Sequence, residues 1–147
     1  MLTIITGGVK GGIGKSTLLI CLAEWLSWKG LKVGVRDLDS HQTTQDYLDE
    51  CRRKGRIVGD LKNHEVLLID TPGKEGGSTI HEKEANFILV PVPPSGVNLK
   101  SILKRWFFPS ENSIQKKVIF IPYMLDPIGF TTERKRGMEQ LEQIAEY

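Results

Sequence analysis

The chain has 147 residues, a net charge of +2 and 39% hydrophobic residues. This length suits a single hydrophobic core, so we expect residues 1–147 to form one domain. No stretch approaches the roughly 18 uncharged apolar residues that a membrane span requires, and no secretory leader is apparent. Cys21 and Cys51 lack any paired or metal-ligand spacing, which predicts reduced thiols. Together these features predict a cytoplasmic protein without stable membrane association.

Five short apolar runs alternate with stretches of helical periodicity. The predicted strands are residues 2–6, 32–38, 65–69, 86–92 and 117–121, and the predicted helices are residues 16–29, 42–54, 98–107 and 132–146. The runs are mostly continuous, which is typical of strands that are buried on both faces. Alternation of strands and helices therefore predicts an α/β fold with a mostly parallel sheet and helices on both faces.

Residues 10–17, KGGIGKST, lie between the first predicted strand and the first predicted helix. Glycines let successive backbone N–H groups turn toward one point, and a helix N-terminus favours negative charge. Lys15 can place its ammonium on the β- and γ-phosphates of a nucleotide, and the Ser16 hydroxyl can coordinate Mg²⁺. The flanking strand and helix favour this interpretation over an ordinary glycine-rich turn. The predicted phosphate-binding residues are Gly11, Gly12, Ile13, Gly14, Lys15, Ser16 and Thr17.

This loop is a variant of the usual phosphate loop. Val9 stands where that pattern has its first glycine, and Lys10 is an additional cation. The helix that follows carries Leu18, Leu22 and Trp25 at helical spacing, continues through Leu26, and is predicted to end near Gly30.

The loop resembles the deviant Walker A motif of the ParA/MinD superfamily of ATPases. Residues 35–39, VRDLD, resemble the second motif of that family, an apolar strand that ends in Asp-x-Asp. Residues 66–73, VLLIDTPG, resemble its Walker B strand, and residues 87–95 are similar to the strand after it. These matches cover roughly the first two-thirds of the chain. The resemblance implies a three-layer P-loop NTPase fold, with ATP or ADP and Mg²⁺ as cofactors.

The resemblance also implies roles for individual residues. Lys10 would reach the nucleotide of a dimer partner, so Lys10, Lys15 and Asp39 are the predicted catalytic residues, with Asp39 orienting the attacking water. Ser16, Asp37 and Asp70 are the predicted metal-site residues, and Thr17 is expected to contact the α-phosphate. The alternatives are a solvated loop lysine for Lys10 and a helix cap or turn for an aspartate at a strand end.

Adenine recognition would use the loop after the fifth strand, as in relatives. Tyr123 and Met124 are the predicted contacts, although residues there could simply turn the chain. The loop lacks the Asn-Lys-x-Asp signature of GTPases, which favours adenine over guanine.

Basic residues cluster in the second half of the chain. Several cations on one face are sufficient for non-specific DNA binding, and partition ATPases that this chain resembles bind DNA in this way. A solvated helix face is the alternative. The candidates for DNA contact are Lys100, Lys104, Arg105, Lys116, Lys117, Arg134, Lys135 and Arg136. A further basic run occupies residues 52–56.

The resemblance is greatest to ParA partition ATPases. It implies an ATP-dependent homodimer that binds DNA non-specifically, associates with the nucleoid and segregates a plasmid or chromosome with a centromere-binding adaptor protein. One alternative is a MinD-like positioning ATPase, but residues 132–146 have few large apolar groups for a membrane-binding helix. Another is a non-catalytic regulator of a full-length relative, because most relatives continue beyond the position of Tyr147 and the fold is expected to be shortened there.

Overall fold

The computed structural model describes residues 1–8, 12–39, 43–72, 79–92, 102 and 117–122. Within these ranges the strands are β1 (Leu2–Thr6), β2 (Val33–Asp37), β3 (Val66–Asp70), β4 (Phe87–Val92) and β5 (Val118–Pro122). The helices are α1 (Lys15–Trp28), α2 (Thr43–Arg53) and α3 (Thr79–Glu84). All five predicted strands and the first two predicted helices are confirmed to within one residue at each end. The short helix α3 was not predicted, and the predicted helices at 98–107 and 132–146 lie outside the described residues except for helical Ile102.

The strands form one sheet in the order β2-β3-β1-β4-β5, and every neighbouring pair is parallel. The central strand β1 thus has β2 and β3 on one side and β4 and β5 on the other. Sheets of this kind bind ligands beyond the carboxyl ends of their strands, where the strand order changes direction. Thr6, Asp37 and Asp70 all lie at this edge, and Asp37 and Asp70 are register partners on β2 and β3.

The two faces of the sheet are covered by separate apolar clusters. Successive side chains of a strand point to opposite faces, so Leu68 belongs to one cluster and Ile69 to the other. The first cluster, packed under α1 and α2, contains Leu19, Ala23, Leu26, Val33, Val35, Leu48, Cys51, Ile57, Val66 and Leu68. The second contains Ile5, Ile69, Ala85, Ile88, Val90, Val92 and Ile102. The predicted three-layer α/β fold is therefore confirmed.

The buried face of α1 includes only part of the apolar set at helical spacing: Leu26 is buried, whereas Leu18 and Leu22 are half-buried. Leu19 and Ala23 are 2% and 0% exposed, whereas Trp25 is 53% exposed. Apolar side chains occur on nearly every side of this helix, so their spacing alone could not select the face. The structure places Lys15 and Leu19, one turn apart, on the buried side, and the small Ala23 continues it.

Both long helices end in the same hydrogen-bonding pattern. After α1, the Leu31 amide donates to the Leu26 carbonyl and the Gly30 amide donates to the Ser27 carbonyl. Gly30 has a φ of 87°, the left-handed conformation that this Schellman ending requires. The corresponding residue after α2 is Gly55, with a φ of 70°. The prediction that α1 ends near Gly30 is confirmed.

Candidate phosphate-binding site

The described part of the glycine-rich loop packs against Gly8, just after β1. Gly12 and Gly14 have φ values of 76° and 90°, which residues with a Cβ rarely adopt. Ile13 between them is 5% exposed and packs so closely on Gly8 that a Cβ at Gly8 would lie 2.4 Å from the Ile13 Cδ1 atom. Because Gly8 has no side chain, Ile13 can occupy this space. The sequence alone did not predict this role of Gly8.

Helix α1 presents its N-terminus to this loop. Gly14 is its N-cap residue and no side chain caps the helix there. The first backbone N–H groups of an α-helix have no partner within the helix, and the helix dipole favours an anion beside them. Ser16 and Thr17 are exposed residues of this first turn. The arrangement suits a phosphate group, and phosphate binding itself stays a prediction.

Lys15 is a buried cation at the start of α1, only 7% exposed. Burial lowers its pKa from the ordinary value of 10.5, while the negative charges of Asp70 and Asp39 act in the opposite direction. Because the effect of burial is the larger one, a further negative charge beside the ammonium would favour its charged form. A phosphate bound at the N-terminus of α1 would supply such a charge.

Asp70 lies at the end of β3 and is 1% exposed. The Thr6 hydroxyl donates to its Oδ1 atom at 2.9 Å, and the Thr44 hydroxyl donates to its Oδ2 atom at 2.9 Å. Such donors offset the cost of removing a carboxylate from water. Thr6 and Thr44 were not among the predicted site residues. They could have been found as hydroxyl residues at the end of a strand and at the start of a helix that meet at this edge of the sheet.

The Asp37 carboxylate is held by backbone amides. Its Oδ1 atom accepts the Asp39 N–H at 2.9 Å, and its Oδ2 atom accepts the N–H groups of Thr44 and Gln45 at 3.1 and 3.3 Å. Asp37 therefore caps the first turn of α2, the alternative named for an aspartate at a strand end. Its contribution to a metal site stays a prediction.

A magnesium ion fits the oxygen groups present, although no three His, Cys, Asp or Glu residues cluster as ligands within the described ranges. Mg²⁺ commonly uses one or two protein oxygens and completes its shell with phosphate and water oxygens. Asp70 and Ser16 are the residues here that would hold it, and half-buried Asp39 lies close enough to influence the Lys15 charge.

Several predicted site residues lie outside the described ranges. They are Lys10, Gly11, Tyr123, Met124, Lys100, Lys104, Arg105, Lys116, Arg134, Lys135 and Arg136. The remaining DNA candidate, Lys117, lies just before β5, and its ammonium donates a hydrogen bond to the carbonyl of Lys83 on α3 at 2.8 Å.

The basic run at 52–56 is paired with acidic side chains. Arg52 contacts Asp49, Arg53 and Lys54 contact Glu50, and Arg56 contacts Glu24. This pairing favours a solvated helix face over a DNA surface for that run. No helix in the described part of the chain is long and apolar enough to cross a membrane.

Comparison with known proteins supports the fold. Residues 2–57 match the family model of the ATPase MipZ, whereas no curated protein sequence matches significantly. A putative plasmid partition protein from Borrelia burgdorferi, solved with AMPPNP, is 17% identical over 96% of this chain and 80% of its own, with a TM-score of 0.71. Apo McdA of Cyanothece is 16% identical over 99% of this chain and 82% of its own, with a TM-score of 0.68.

A third solved structure is that of pNOB8 ParA bound to non-specific DNA. It is 16% identical over 74% of this chain and 60% of its own, with a TM-score of 0.54. At these identities the structures establish a shared fold.

Proposed function

We propose that the protein is an ATPase of the ParA/MinD type, which binds ATP with Mg²⁺ and hydrolyses it. The match of residues 2–57 to the MipZ family model and the shared fold support this proposal. One observation carries the proposal. Lys15 is buried at the N-terminus of α1, where the carboxylates of Asp70 and Asp39 act on its charge. A buried cation at a helix N-terminus beside carboxylates suits a polyphosphate with a bound cation.

Each residue of the site has a role in the proposed reaction. Phosphoryl transfer to water depends on positioning and on neutralising the charge of the transferred group. Lys15 binds the β- and γ-phosphate oxygens, and Ser16 and Thr17 contact the nucleotide from the first turn of α1. Asp70 and Ser16 hold Mg²⁺, which when bound neutralises charge on the phosphates. Asp39 orients the attacking water, and Asp37 holds the Asp39 amide in place.

Lys10 extends the proposal to a dimer. In the ATP-bound state it reaches the phosphates of a second copy of the chain and acts there as an arginine finger does in other NTPases. Its position next to the phosphate loop in the sequence and the resemblance to the deviant Walker A motif support this role.

We further propose that the ATP-bound dimer binds DNA non-specifically and acts with an adaptor protein in partition of a plasmid or chromosome, at the nucleoid. The fold shared with a plasmid partition protein and with a ParA bound to DNA supports this use. The basic residues of the second half of the chain are the candidate contacts, although Lys117 already holds the Lys83 carbonyl.

Nucleotide binding and phosphate release test the enzymatic proposal. Wild-type protein should bind a fluorescent ATP analogue and release phosphate from ATP, with or without DNA. Lys15→Ala should lose both, because the phosphates lose their buried cation. Binding without turnover under every condition would instead support the non-catalytic regulator, and absence of binding would contradict the proposal.

Sedimentation tests the dimer. With a saturating non-hydrolysable ATP analogue, wild-type protein should sediment as a dimer, while Lys10→Ala should stay a monomer and keep its nucleotide affinity. A wild-type monomer under these conditions would contradict the role of Lys10. DNA affinity should appear only with ATP and fall steeply with salt, since displaced counterions dominate such binding.

A further inference from the structure

Thr44 joins α2 to the ends of two neighbouring strands. It is 2% exposed, and its hydroxyl donates to the Asp70 Oδ2 atom at 2.9 Å. Its backbone N–H donates to the Asp37 Oδ2 atom at 3.1 Å. The two carboxylates are register partners on β2 and β3. Thr44 is thus the point at which the helix, the Walker B strand and the Asp-x-Asp strand are connected.

We propose that Thr44 is a positioning residue for the metal site, whose hydroxyl fixes the orientation of the Asp70 carboxylate and thereby raises the Mg²⁺ affinity of the nucleotide-bound protein. The inference rests on the proposed function and adds a residue that none of its roles uses. It differs from metal binding by Thr44 itself, because the hydroxyl acts through Asp70.

The hydrogen bonds of Asp70 explain how this works. Thr6 holds Oδ1 from β1 and Thr44 holds Oδ2 from α2, so rotation of the carboxylate would break at least one buried hydrogen bond. Each carboxylate oxygen accepts more than one donor, which leaves capacity on Asp70 for a water ligand of Mg²⁺. Partners that orient a metal-site residue in this way commonly change metal affinity by about 10- to 100-fold when they are removed.

Thr44 is a better subject for a test than Thr6. The Thr6 oxygen also accepts the Thr71 N–H at 3.1 Å, and the Thr6 carbonyl accepts the Thr71 hydroxyl at 2.6 Å. A change at Thr6 would therefore disturb the connection between β1 and the chain after β3. Thr44→Val keeps the shape of the side chain and removes the hydroxyl, and Thr44→Ser keeps the hydroxyl. Thr3→Val is the matched control, since Thr3 lies toward the opposite end of β1.

The experiment measures binding of a fluorescent non-hydrolysable ATP analogue, first in EDTA and then across a Mg²⁺ titration. For Thr44→Val we expect the Mg²⁺ concentration at half-maximal enhancement of binding to rise about 10- to 100-fold, with unchanged affinity in EDTA. Thr44→Ser should restore most of the Mg²⁺ response, and Thr3→Val should match wild type.

The two measurements separate positioning from support of the fold. Equal losses in EDTA and in Mg²⁺, or a Thr44→Val response like that of wild type, would overturn the inference while leaving the proposed function intact. Wild-type protein that binds no nucleotide in either condition would overturn both.

Hydrogen exchange of wild-type protein provides a test that does not depend on the folding of a variant. Adding Mg²⁺ to the nucleotide-bound protein should slow exchange of the Thr44 and Gln45 amides, because an ordered Asp70 orders the first turn of α2. Unchanged exchange at these amides would overturn the inference.

Discussion

At the scale of single residues, the central feature of the site is the buried ammonium group of Lys15. Lys15 is buried where two carboxylates attract its charge, yet burial still lowers its pKa. We therefore expect the Lys15 side chain to lower the free energy of unfolding of the ligand-free protein, while it favours binding of an anion. Residues kept for binding often have this effect on stability.

Replacing Lys15 with methionine should stabilise the ligand-free protein at neutral pH. Below the lowered pKa of Lys15 the folded state carries the full cost of the charge, and this cost disappears as the pH rises through that pKa toward 10.5, the ordinary value. The excess stability of Lys15→Met should therefore shrink as the pH approaches that value. Urea denaturation of both proteins across this range measures the difference. A wild-type protein that is the more stable of the two at neutral pH would contradict the prediction.

Gly8 offers a second prediction at this scale. Gly8→Ala should weaken nucleotide binding, because the new Cβ would displace Ile13 and tilt the phosphate loop. Ile13→Val removes the Cδ1 atom that lies 2.4 Å from that Cβ position. The double variant should therefore bind better than Gly8→Ala alone, although the Lys15 Cδ atom, at 3.1 Å, still restricts the fit. A double-mutant cycle of nucleotide affinities measures this coupling, and additive effects would count against it.

At the scale of secondary-structure elements, the amino ends of the two long helices are determined by different features from their carboxyl ends. The amino ends of α1 and α2 face the site, where glycine geometry and the Asp37 carboxylate determine them. The carboxyl ends lie away from it, where Gly30 and Gly55 adopt left-handed conformations. Substitutions at the carboxyl ends should therefore change stability without changing the site.

Gly30→Ala and Gly55→Ala should each lower the free energy of unfolding by about 1 to 2 kcal/mol, the cost of a left-handed conformation for a residue with a Cβ. No atom of the described residues lies within 4 Å of a Cβ at either position, so we expect the cost to come from the backbone. Asparagine, which tolerates this conformation better, should cost less at both positions. Urea midpoints measure the stability changes, and nucleotide affinity should stay at the wild-type value. Equal losses for alanine and asparagine would point to a cause other than backbone conformation.

At the scale of the whole molecule, the sequence predicted the strands and the first two long helices well because their signals are local. Continuous apolar runs indicate buried parallel strands. The order of Lys15 and Ser16 after the glycines is likewise a local pattern, which predicts a phosphate loop. Thr6 and Thr44 were missed because their contact with Asp70 joins residues 64 and 26 positions apart. The spacing of apolar residues did not identify the whole buried face of α1, because apolar residues surround the helix and only packing against the sheet selects Leu19 and Ala23.

Nucleotide should stabilise the whole chain through mass action. A ligand at 100 times its dissociation constant adds about 2.7 kcal/mol to the free energy of unfolding, which for a protein of this size is a rise in Tm of roughly 5 to 10 °C. We expect this shift for wild type with Mg²⁺ and an ATP analogue and no shift for Lys15→Met. Thermal melts with AMP serve as the control, since AMP lacks the phosphates that Lys15 would bind. An equal shift with AMP would show that the phosphate loop is not the source of affinity.

Because Asp37 and Asp70 are register partners, the geometry of the site depends on the correct alignment of β2 and β3. Both carboxylates are positioned by the β2–β3 ladder, whose strands lie about 4.8 Å apart. A slip of one residue would turn Asp70 to the other face of the sheet and remove it from Thr6 and Thr44. Chains that retain a ligand requiring both carboxylates are therefore chains in which this alignment is correct, so an immobilised ligand of that kind would separate them from misaligned ones.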